Sequence, residues 1–72
     1  MEEQEKQLRK NIAEKIRMLR ARDHISQECL ADKTDLTQAY IYKLENELAN
    51  PSIYVVQKIA SAFGVTVNDI IY

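Results

Sequence analysis

Seventy-two residues with a single Gly, a single Pro and a single Cys exclude a disulfide framework, a thiolate-caged metal site and a turn-rich β architecture. No apolar run reaches the roughly 18 residues of a membrane-spanning helix. The net charge of −1 argues at first sight against nucleic acid, because such binding modules are usually basic, but its distribution is uneven. Residues 1–7 carry three Glu against Lys6, residues 8–45 carry eight Lys or Arg against six acids, and the remainder carries Lys58 against Glu47 and Asp69. A basic middle between acidic ends is compatible with a polyanionic partner and equally with a solvated surface.

The first helix is predicted over about residues 4–22, where Leu8, Ile12, Ile16 and Leu19 repeat at helical spacing and mark one apolar face. Residues 1–7 form its polar, acidic N-terminal extension. MEEQEKQ is the opposite of a secretion or import signal, so a cytoplasmic chain is expected. A second helix starts at Ser26, whose hydroxyl can cap first-turn N–H groups, buries Leu30 and Ala31, and ends near Lys33. Thr37 caps a third helix that buries Ile41 and Leu44. Ser52, after Asn50 and Pro51, caps a fourth, with Ile53, Val56, Ile59, Ala60 and Phe63 inward and Gly64 as its left-handed stop. Thr66 caps a short last helix, with Asp69 at the capping-box position. The reading is all-α, five helices in one domain over residues 1–72, without repeats or linkers.

Only Thr34 to Leu36 join the second and third helices, and a connection that short forces a sharp interhelical angle, as in a helix-turn-helix. The string ISQECLADKTDLTQAYIYKLENELANPS resembles the core of the Cro/CI (XRE) repressor family. Ser26, Gln27, Leu30 and Ala31 match its Ser-Gln-x-x-Leu-Ala opening. Ile41, Leu44 and Glu45 match its Ile-x-x-Leu-Glu, Pro51 and Ser52 its Pro-Ser pair, and IASAFGV its Ile-Ala-x-Ala-Leu-Gly-Val-like segment. The likeness runs from about Ile12 to Ile71. It implies a compact five-helix bundle of the lambda-repressor-like DNA-binding domain type, with helices two and three as the helix-turn-helix.

The chain departs from the family pattern where His24, Asp35 and Glu47 replace common glycines. His and Asp occupy left-handed backbone at modest cost, whereas Asn46 is expected to take that role from the less suited Glu47. Cys29 stands where a Glu would complete a capping box with Ser26.

On the third helix, Ile41, Leu44 and Glu45 share the inward side; Ala39, Lys43 and Asn46 lie opposite, flanked by Gln38 and Tyr42. The resemblance implies base reading from Gln38, Ala39 and Lys43. A Gln amide suits adenine N6 and N7, a small Ala can meet a thymine methyl, and Lys reaches guanine O6 or N7. Tyr42 is a further base-reading candidate that could equally block close approach, and Tyr40 is expected to be partly packed. Gln27, at the start of helix two, is implied as a phosphate contact that sets docking register. Thr37, Asn46 and Asn50 are further phosphate candidates. The resemblance also implies that Arg20 and Glu45 form a salt bridge tying helix one to the recognition helix.

Other chemistry is set aside. One His and one Cys cannot close a zinc site, and so short a chain offers no deep cleft to activate Cys29 as a nucleophile. Neither metal, cofactor, small-molecule effector nor enzymatic activity is expected. The apolar VTVNDIIY end places Val67, Ile70, Ile71 and Tyr72 as the dimer interface that the resemblance implies, which would let a homodimer read a pseudo-palindrome in double-stranded DNA. The functional expectation is a sequence-specific transcriptional regulator, a repressor of bacterial or phage type. The pI of 5.7 and Tyr42 keep a second reading open: a protein-interaction module, such as an antitoxin-like partner binder, that retains the fold with weak or no DNA binding.

Overall fold

Four hydroxyl caps punctuate the chain. In the computed structural model, which describes residues 2–72, Ser26, Thr37, Ser52 and Thr66 all stand in extended backbone and accept the N–H of Cys29, Tyr40, Val55 and Asp69. Each bond satisfies one of the donors a helix start leaves unpaired. The helices are α1 (Glu2–Asp23), α2 (Gln27–Thr34), α3 (Gln38–Glu45), α4 (Ile53–Phe63) and α5 (Val67–Ile71). At α5 the Asp69 carboxylate also accepts the Thr66 N–H at 3.0 Å, closing a capping box. That backbone hydrogen bond, reinforced by the Thr66 hydroxyl, holds the Asp69 carboxyl below the usual carboxylate range.

The helix ends are left-handed. Gly64 stops α4 at φ 69° and Asp35 stops α2 at φ 57°, while His24 follows α1 at φ 56°. After α3 the expected arrangement is corrected: Glu47 takes the left-handed position at φ 63°, and Asn46 stays at φ −111°. The reason lies in the bonding. Leu48 N–H returns to the Lys43 carbonyl at 2.8 Å, a six-to-one closure that requires the turn at the residue just before Leu48. Asn46 instead bonds its side-chain amide to the Tyr42 carbonyl at 2.8 Å.

The core is made by Ile12, Ile16 and Leu19 of α1, Leu30 and Ala31 of α2, Ile41 and Leu44 of α3, Val56, Ile59, Ala60 and Phe63 of α4, and Ile70 of α5. Helix α1 packs on α3 and α5, α2 on α3 and α4, and α4 on α5. Two residues expected on the apolar faces are not in it. Leu8 is 42% exposed and Ile53 61% exposed. Leu8 lies one turn before Ile12, where the α1 stripe runs to the edge of the bundle and lines an open cleft with Asn50 and Pro51. Ile53 is the first residue of α4 and projects before any neighbouring helix can cover it. Thr34, by contrast, is buried and returns its hydroxyl to the carbonyls of Leu30 and Ala31, so the polar group costs little.

Candidate nucleic-acid interface

Helix α3 presents two chemically distinct sides. Inward, Ile41, Leu44 and Glu45 are buried. Outward, Gln38, Ala39, Tyr42 and Lys43 are all exposed, Tyr42 to 52%. Among the described residues, the side chains of Gln38, Tyr42 and Lys43 make no hydrogen bond or ion pair. Their donors and acceptors are left free around the small Ala39. Tyr40, on the flank, is half-buried and packs against the core.

The inward side is anchored through α1. Glu45 is 3% exposed and receives both arms of the Arg20 guanidinium, Nε to Oε2 at 2.5 Å and Nη2 to Oε1 at 2.8 Å. The remaining Arg20 nitrogen, Nη1, donates to the Ile25 carbonyl at 3.0 Å, which pins the start of α2 to the same cation. Hydrogen bonding to Glu45 raises the Arg20 pKa above its already high ordinary value, against the opposing effect of burial. The planar fork matches the carboxylate, the geometry in which such pairs are strongest.

The predicted phosphate contacts are divided. Thr37 is exposed at the start of α3, its oxygen accepting the Tyr40 N–H at 3.1 Å, which leaves its hydroxyl proton free to donate. Asn46 sits at the other end of the same helix. Gln27 reaches across from the start of α2, its Nε2 donating to Glu45 Oε1 at 3.2 Å. Asn50 stands apart, its Oδ1 accepting from Arg9 Nη1 at 3.1 Å, so it faces α1 rather than α3. Of the predicted dimer residues, Ile70 is removed: it is fully buried, because the face that α5 turns to the core is the one carrying it. Val67 and Ile71 are half-buried and Tyr72 is 83% exposed.

Three arginines of α1 play parts that sequence reasoning missed. Arg17 donates to the Glu45 backbone carbonyl, Arg22 to the Phe63 carbonyl at 3.0 Å, and Arg9 to Asn50. Arg17 and Arg22 thus supply cations to the last carbonyls of α3 and α4, where the helix dipole favours positive charge. The usable signal was the spacing: Arg17 precedes Arg20 by three residues and so shares its side of α1. Among the described residues no group of three metal-capable side chains comes together, and no helix is long and apolar enough to cross a membrane.

Comparison with known proteins agrees with this fold. A family model described as helix-turn-helix matches residues 16–70. The chain belongs to that family, of the Cro/CI (XRE) type, a class of DNA-binding transcription regulators. It is 28% identical over 60 residues to the immunity repressor protein of Bacillus phage phi105, covering 83% of this chain and 42% of the phage protein. The chain therefore spans less than half the length of that relative. Among solved structures, the hypothetical transcription factor NHTF from Neisseria superposes with a TM-score of 0.87 at 29% identity, over 90% of this chain and 75% of that one. The restriction-modification controller protein C.AhdI from Aeromonas hydrophila superposes with a TM-score of 0.82 at 26% identity, over 86% and 94%.

Proposed function

We propose that residues 1–72 form a sequence-specific double-stranded DNA-binding domain that acts as a cytoplasmic transcriptional repressor, a homodimer on a pseudo-palindromic operator. The observation that carries this reading is the outward side of α3, where exposed polar groups on Gln38, Tyr42 and Lys43 surround Ala39 on a helix whose other side is locked to α1. In the major groove, Gln38 would pair with adenine, Lys43 with guanine, and Ala39 with a thymine methyl, while Tyr42 reads an adjoining base. Gln27, Thr37 and Asn46 would donate to phosphates and set the register, and Asn50, held on the α1 side by Arg9, would reach a flanking phosphate only through its remaining NH2 group. The half-buried Val67 and Ile71 with the exposed Tyr72 provide the apolar patch for a second copy. Repression then needs only occupancy of the operator, with no small-molecule effector.

Selection from a pool of random duplexes with the purified chain tests this directly. The expected product is an enriched motif with two half-sites related by a two-fold axis, roughly 10 base pairs apart from centre to centre. The bound species should sediment as two copies of the 8.4 kDa chain. Absence of any enriched motif at low salt would defeat the DNA reading and leave the protein-interaction alternative.

A further inference from the structure

The buried Glu45 carboxylate serves one partner more than its charge requires. Arg20 alone satisfies it with a two-armed hydrogen bond, yet Oε1 also accepts from Gln27 Nε2 at 3.2 Å. The consequence falls on Gln27. A primary amide can turn either its oxygen or its NH2 end to a neighbour, because its last torsion is broad and roughly two-fold. A carboxylate is an acceptor only, so Glu45 admits the NH2 end and rejects the oxygen. One N–H is then spent on Glu45, and the second, about 120° from it by the planar geometry of the amide, points away from the pair.

Resting on the phosphate contact proposed for Gln27, we infer that Glu45 is a positioning residue for DNA binding: it holds the Gln27 amide with one N–H presented to a phosphate oxygen. The salt bridge then has two separable duties. Arg20 and Glu45 together join α1 to α3 while Arg20 also holds the Ile25 carbonyl ahead of α2, and Glu45 alone orients the Gln27 side chain. Freezing the amide before binding removes an ordering cost that otherwise lowers affinity by up to about tenfold per side chain.

The test measures binding of wild type, Gln27→Ala, the double variant R20M/E45L, and the triple variant to the duplex enriched by the wild-type chain, beside thermal melts. Exchanging a buried ion pair for apolar residues of similar volume is often neutral or stabilising, so R20M/E45L should lose little beyond the Arg20–Ile25 bond and melt well above Glu45→Ala. Its affinity should nevertheless fall about as far as that of Gln27→Ala, on the order of tenfold, and the triple variant should lose no more than about twofold beyond that. The slope of log affinity against log salt should be unchanged in all four, because Gln27 carries no charge to release counterions. Ethylation of one particular phosphate should block wild type and cease to matter in all three variants.

Equal costs for Gln27→Ala in the wild-type and double-variant backgrounds would overturn the inference. So would a freely averaging Gln27 side-chain amide in the NMR spectrum of the unbound wild type, where a contact to the Glu45 side chain is expected; that measurement holds even if R20M/E45L does not fold. Failure of the wild type itself to bind any duplex would instead overturn the DNA reading, and this inference with it.

Discussion

The two sides of α3 are built from neighbouring residues to opposite specifications. On the inner side, Leu44 and Glu45 are buried and the polar atoms are all engaged; on the outer side, Tyr42 and Lys43 are exposed and their side chains are free. Residues one position apart on a helix differ in direction by about 100°, so eight residues suffice to hold an anchored side and a free polar side at once. The difference shows why a weakly charged chain can carry a specific surface. In the proposed function, recognition would reside in a few unengaged groups on an anchored helix, while the net charge of −1 describes the whole chain and says little about that patch.

The comparison breaks most visibly at Glu45. Glu45→Ala leaves Arg20, whose side chain is only 22% exposed, without its partner. A loss of about 3 kcal/mol is expected, a fall of at least ~12 °C in Tm for a chain of this size, read by circular dichroism. Lys43→Ala is the counterpart on the outer side. Affinity for the enriched duplex should drop about tenfold, with the salt slope reduced by about 0.9 if Lys43 meets a phosphate, and stability should stay within ~0.5 kcal/mol of wild type. A melt in which Lys43→Ala is the more damaging substitution would show the two sides assigned the wrong way round.

Glu47→Gly sharpens the picture at the end of α3. Glycine adopts φ 63° without the Cβ clash, and after its larger unfolded-state entropy a gain of ~0.5–1 kcal/mol is expected. That gain should appear in Tm with base preference unchanged. The smallest effect lies outside both sides. Because the folded Asp69 pKa is depressed, its contribution is complete above the unfolded value of about 3.9 and is lost as pH falls through the lower folded value. Acid should therefore loosen α5 selectively, and Asp69→Asn should remove the pH dependence of its amide signals.

Much of this was legible in the residues themselves. Hydroxyl caps before apolar periods located Ser26, Thr37, Ser52 and Thr66, because capping is a bond between residues three apart. Inward Ile41, Leu44 and Glu45 followed from helical period, and the Arg20–Glu45 pair from the family likeness. What failed depended on where a helix stops having neighbours. Leu8 and Ile53 continue an apolar face beyond the elements that cover it, and Ile70 lies in a helix of five residues, too short to show a period. The bonds of Gln27 to Glu45 and of Arg9 to Asn50 join residues 18 and 41 positions apart. No local pattern encodes such distances; they exist only once α1, α2 and α3 have packed.

Asn11 donates its side-chain amide to the Ile71 carbonyl at 3.3 Å, so the first helix clasps the last. A helix of five residues does not persist in water alone; α5 is helical because Ile70 is seated in the core and its end is held by α1. The two partners of that clasp are separated by 60 residues, and such a contact forms only after the intervening chain has been wound into place. The last turn of α5 therefore works as a latch on the bundle, and cutting the chain after Gly64 is expected to loosen the packing of α1 and α4 as well as to remove α5.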